Sequence, residues 1–139
     1  MPRLPLEVLP PEGPLFACVV MSPPLVLVVE DEVLVRLHAV SLLEEAGFRT
    51  LQAGSADEAI ALLETREDIR IVFTDINMPG DLDGLKLAHA IRHRWPPIEL
   101  VLTSGQANIS DEDLPERGVF LEKPYQRTEL VRMMRLLIP

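Results

Sequence analysis

The chain has 139 residues, enough for one domain with a full core and too few for two comfortable ones. Its 22 acidic residues outnumber 13 Lys plus Arg, a formal charge of −9, which argues against a nucleic-acid surface because displacing counterions from phosphate needs a basic stripe. Cys18 is the one cysteine, which rules out an internal disulfide and a thiolate metal cluster, and no apolar run approaches the roughly 20 residues of a membrane span.

Residues 1–24 are rich in proline, and each proline disfavours helix at the residue before it. They read as a disordered extension ahead of a domain over 25–139, or as sequence upstream of a true start at Met21. No signal-peptide pattern is present, so a cytoplasmic protein is expected. Leu25 to Val29 is a continuous apolar strand, as expected where both faces of a sheet are covered. Three acids, Glu30, Asp31 and Glu32, follow it at once. A helical stripe of Val33, Leu34, Leu37, Val40 and Leu43 then runs to Gly47, a good residue to end a helix.

Phe48 to Ala53 reads as a short strand, and "SADE" places Ser55 and Glu58 as a capping box for a helix through Glu64. Ile69 to Thr74 is a third buried strand, Gly84 to Arg92 a helix, Glu99 to Thr103 a fourth strand and Val119 to Leu121 a brief fifth. Thr128 to Ile138 is an amphipathic closing helix. The alternation implies a doubly wound α/β domain with a parallel sheet and helices on both faces. Between strands four and five, the polar stretch Gly105 to Gly118 carries Pro115 and little periodicity, so a short or irregular fourth helix is expected.

In such a sheet, ligands gather beyond the carboxyl ends of the strands. Strand one ends in Glu30 and Asp31, strand three in Asp75, strand four in Thr103 and Ser104, and strand five leads to Lys123. Singly, each is an ordinary residue at a strand end; together they change the reading. Three converging carboxylates repel one another, which is relieved by a proton or by a cation. Oxygen-only ligands with room for water suit Mg²⁺. A divalent cation, an ammonium and a hydroxyl around one carboxylate suit a phosphoryl group, with Asp75 as nucleophile.

The segments "VLVVEDE", "DINMPG…DG", "VLTSG" and "FLEKPY", in this order, resemble the receiver domain of two-component response regulators from Leu25 to about Leu137. The resemblance implies a flavodoxin-like, five-stranded sheet in order 2-1-3-4-5 and a phosphoacceptor signalling domain rather than an enzyme. It makes Asp75 the phosphoacceptor and gives Mg²⁺ to Asp31, Asp75 and the backbone carbonyl of Asn77, with Glu30 acting through water. Thr103 would hydrogen-bond the phosphoryl group and Lys123 pair with it, and the Lys123–Pro124 peptide is expected to be cis. Phe120 falls at the aromatic switch position and reads equally as a plain core aromatic. The Asp75-to-Gly84 spacing is one residue longer than the commonest in the family, so "PGDLDG" is expected to form a slightly longer loop.

The implied partners are a sensor histidine kinase or a histidine phosphotransfer protein as donor. The chain ends directly after the last helix, so the expectation is a stand-alone receiver read by a separate protein, or a phosphate shuttle or sink, either monomeric or weakly dimeric. A phosphorylation-independent binding module is the alternative, and the complete set Glu30, Asp31, Asp75, Thr103 and Lys123 argues against it. An aspartate-nucleophile hydrolase would need a second Asp where Asn77 stands, and a nucleotide-binding domain would need a glycine-rich loop where the acids stand. His38, His89 and His93 lack a ligand pattern, and "RHRWPP" reads as a solvated helix end.

Overall fold

The change of character after Val29 marks the point where the chain leaves the sheet. In the computed structural model, which describes residues 23–78, 83–105 and 109–138, β1 (Leu25–Val29) is buried along its whole length. α1 (Val33–Glu45) begins directly after the three acids and ends at Ala46, with Gly47 at φ 99°, a left-handed conformation that glycine adopts without steric cost. There follow β2 (Arg49–Ala53), α2 (Ala56–Thr65), β3 (Ile69–Asp75), α3 (Gly84–Arg94), β4 (Glu99–Ser104), a 3-10 turn (Asp111–Asp113), β5 (Gly118–Glu122) and α4 (Arg127–Leu137). The sheet is parallel throughout in the order β2-β1-β3-β4-β5.

Strand alternation splits the core in two. Leu25, Leu27 and Val29 of β1, with Leu100 and Leu102 of β4, meet Ala59 and Leu63 of α2 and Leu87 and Ile91 of α3. Val26, Val28, Ile71, Phe73 and Val101 face the other way, onto Ala39, Val40 and Leu43 of α1 and Leu130 and Met134 of α4. Each fully buried Leu or Ile on these faces contributes about 2 kcal/mol by leaving water, so the two layers, rather than the exposed ion pairs, hold the sheet.

The α1 stripe differs from the one expected. Val33, Leu34 and Leu37 are exposed, Leu34 at 81%. The face that packs is Ala39, Val40 and Leu43, flanked by the half-buried Val35, Leu42 and Ala46. The positions 35, 39, 42, 43 and 46 fit the same helical period rotated around the helix, and two of them are alanines that let the helix lie close to the strands. Val33 and Leu34 stand in its first turn, just past the end of β1.

At α2, Ser55 Oγ accepts the Glu58 amide at 3.1 Å, as a capping box requires. Glu58 Oε1, however, accepts from the Gly54 amide at 2.7 Å rather than closing the box on Ser55. The stretch after β4 forms one 3-10 turn among its described residues, in agreement with its polarity and Pro115. Side chains of α3 fasten it: His89 Nε2 lies 2.9 Å from the Asp113 carbonyl, and Arg92 Nε donates to the Glu116 carbonyl at 2.7 Å. Most of the proline-rich extension and part of the expected "PGDLDG" loop lie outside the described residues. No helix among the described residues is long and apolar enough to cross a membrane.

Candidate functional site

The parallel register brings the carboxyl ends of β1, β3, β4 and β5 to one edge. Thr74 pairs with Val29, Asp75 with Thr103, and Ser104 with Glu122. Glu30, Asp75, Thr103 and Ser104 are buried at this edge, while Asp31 is exposed. One carboxylate oxygen from each of Glu30, Asp31 and Asp75 lies within 4.8 Å of the other two. Lys123 reaches over from the end of β5, with Nζ 3.2 Å from Glu30 Oε1 and 3.6 Å from Asp75 Oδ1. The Lys123–Pro124 peptide is cis.

One ammonium faces three carboxylates, so the rim holds excess negative charge. Two unit charges at such a spacing repel by about 3 kcal/mol at an effective dielectric of about 20. Burial raises the Glu30 carboxyl above its ordinary value; the Glu32 amide opposes this, the Asp75 charge adds to it, and Lys123 opposes it. Burial also raises Asp75, against the pull of Lys123 and the Asn77 amide. Tyr125, whose ring meets Phe73 edge-on at 5.8 Å between centroids, is pushed up to about 12 by burial and then by the charges of Glu30 and Asp75.

Thr103 Oγ1 is buried without a hydrogen-bond partner among the described residues, a costly state for a hydroxyl. A small space of about 10 Å³, lined by Glu30, Phe73, Asp75, Thr103, Lys123 and Tyr125, adjoins it. Hard oxygen ligands, excess negative charge and an unpartnered donor fit a divalent cation together with an oxyanion.

A pH dependence follows for the metal-free protein. Glu30 and Asp75 are raised in the folded state, so the stability tied to them is fully present below their unfolded values, about 4. It is lost as pH rises through the higher folded values. Scanning calorimetry in EDTA should therefore show this contribution to thermal stability fading as pH rises above about 4, and added Mg²⁺ should raise the midpoint more at pH 7.5 than at pH 4.5. An equal Mg²⁺ effect at both pH values would contradict the arrangement.

Of the residues expected at the site, Glu30, Asp31, Asp75, Thr103 and Lys123 come together. The Asn77 amide donates to Asp75 Oδ1 at 3.3 Å, while its side chain turns to Ser104, whose Oγ donates to Asn77 Oδ1 at 2.5 Å. Phe120 is not at the rim; it is half-buried against the cluster on the α2 and α3 side. Two contributors escaped the sequence reading. Gly84, noted only as part of a motif, lets the first turn of α3 approach the Asp75 backbone. Arg36 of α1 donates from Nη1 to the Glu30 carbonyl at 2.8 Å, and no local pattern marks it.

A family model described as the response regulator receiver domain matches residues 26–135. The nitrogen assimilation regulatory protein NtrX of Azorhizobium caulinodans is 34% identical over 110 residues, covering 76% of this chain and 24% of that protein. The aerobic respiration control protein ArcA of Escherichia coli strain K12 is 33% identical over 121 residues, covering 85% of this chain and 50% of its own length. The chain thus spans a quarter to a half of these two relatives. Among solved structures, the receiver domain of NtrX from Brucella abortus matches with a TM-score of 0.74 at 35% identity, over 81% of this chain and 97% of that one.

Proposed function

The chain belongs to the response regulator receiver domain family, and on that premise we propose that it accepts a phosphoryl group on Asp75 from a histidine kinase or histidine phosphotransfer protein. The observation that carries this reading is the meeting of Asp75, Lys123 and the unpartnered Thr103 hydroxyl beside Glu30 and Asp31. An Asp75 carboxylate oxygen attacks phosphorus, the phosphorus–nitrogen bond of the donor phosphohistidine breaks, and its electron pair returns to the imidazole, which takes up a proton. Lys123 shifts its pairing from the two carboxylates to the phosphoryl oxygens, and Thr103 donates its hydroxyl to one of them.

Asp31 and Asp75, the Asn77 carbonyl and, through water, Glu30 would hold Mg²⁺, which supplies charge neutralisation of the phosphoryl oxygens. The exposed Val33, Leu34 and Leu37 follow the acids on α1 and would give a protein donor an apolar surface to dock on. The phosphorylated chain acts in the cytoplasm, through a separate protein or as a phosphate shuttle or sink. The test is intact-mass spectrometry after incubation with acetyl phosphate. One phosphoryl adduct with Mg²⁺, absent with EDTA, is the expected result. No adduct in a folded sample, under conditions that label an active receiver, would leave the phosphorylation-independent binding module as the better account.

A further inference from the structure

The turn that carries the acids is weakly fastened by its own helix. Glu32, at the N-cap position of α1, makes no side-chain cap hydrogen bond, and no acid follows in the first helical turn. The Glu30 amide is still paired, donating to the Ala53 carbonyl of β2 at 3.1 Å, but the Glu30 carbonyl lies past the last β1 residue of the ladder. Its donor is Arg36. Nη1 donates to the Glu30 carbonyl at 2.8 Å, and Nε donates to Gln52 Oε1 on β2 at 3.0 Å. The guanidinium packs close against Gly54, where an added Cβ would lie 3.3 Å from Nη1.

We propose that Arg36 is a positioning residue for the cation site, holding the Glu30–Asp31 peptide against β2 so that both carboxylates keep the aim their oxygens have at the rim. The inference rests on the reading that these acids hold Mg²⁺. Fixing the Glu30 carbonyl fixes the plane of the peptide that follows it, and that peptide sets the starting direction of the exposed Asp31 side chain. A guanidinium suits the task because its fork is planar and can serve two acceptors on different segments at once, which a lysine ammonium on a flexible stem does less well. Groups that orient ligands in this way change metal affinity by tenfold or more when removed.

The experiment is calorimetric titration of the unphosphorylated protein with Mg²⁺, alongside the Mg²⁺ dependence of labelling by acetyl phosphate. Arg36→Met should raise the Mg²⁺ Kd about tenfold while the labelling rate at saturating Mg²⁺ stays within about twofold of wild type. Gln52→Ala, an exposed change that removes one of the two anchors, should fall between them. Wild-type and variant affinities that agree within about twofold would overturn the role of Arg36 while leaving the cation site standing. Absence of Mg²⁺ binding by the wild type would overturn the cation site itself, and Arg36's role with it.

Discussion

Asp75→Asn is expected to abolish phosphoryl acceptance and, without metal at neutral pH, to make the protein more stable than wild type. The loss follows from the chemistry, because an amide oxygen is no longer an anionic nucleophile. The gain follows from the site's electrostatics. Asp75 is 6% exposed and Glu30 4%, and burial outweighs the pull of Lys123 in raising both. Removing one charge leaves Lys123 to serve Glu30 alone, while the amide oxygen still accepts from the Asn77 backbone. Relief of a strained functional site typically contributes about 1 kcal/mol, or about 4 °C in midpoint for a domain of this size. Calorimetry in EDTA at pH 7.5 reads the gain, and mass spectrometry reads the loss. A variant that loses stability under those conditions would mean that the carboxylate is well compensated in the fold.

Gly84→Ala should damage both fold and site. A Cβ built at Gly84 would stand 1.8 Å from the Asp75 carbonyl oxygen, 2.7 Å from its carbonyl carbon and 2.8 Å from Ile76 Cα. All three obstacles are backbone, so no rotamer change relieves them. Either the first turn of α3 moves away, or the end of β3 moves with Asp75 on it. Moving α3 breaks the Gly84 amide's bond to the Ile76 carbonyl at 3.1 Å and loosens Leu87 and Ile91 in the core. Overpacking of this kind costs about 1–3 kcal/mol, and the backbone clash places this case at the upper end. Labelling by acetyl phosphate should fall with it even in the fraction that remains folded. A fully active variant with an unchanged midpoint would show that the approach of α3 to Asp75 is looser than the structure has it.

The chemistry at the strand ends was readable in advance because it depends on position along short, continuous apolar strands. Once Leu25–Val29 and Ile69–Asp75 are parallel neighbours, the acids at their carboxyl ends must share an edge, and Thr103 and Lys123 follow by the same register. The cis Lys123–Pro124 peptide came with the family resemblance instead. The polar stretch after β4 also declared itself, since Pro115 and missing periodicity forbid a long helix.

The face of α1 did not declare itself. Val33, Leu34 and Leu37 satisfy the helical period as well as the stripe that packs, and only contact with the sheet chooses between them. Arg36 was equally silent, because its acceptors, the Glu30 carbonyl just past β1 and Gln52 on β2, are brought to it by tertiary structure. Gly84 was marked only as a motif residue at a helix start, although its importance lies in how closely α3 approaches β3.

The account stands or falls on a covalent bond at Asp75. The most direct measurement is to incubate the wild-type protein with acetyl phosphate and Mg²⁺, reduce it with borohydride and map the peptides by mass spectrometry. Reduction converts an acyl phosphate to the corresponding alcohol, so the account predicts homoserine at position 75, dependent on Mg²⁺ and at no other position. Unmodified aspartate at position 75 in every peptide, with a known active receiver reduced in parallel and trapped successfully, would contradict it.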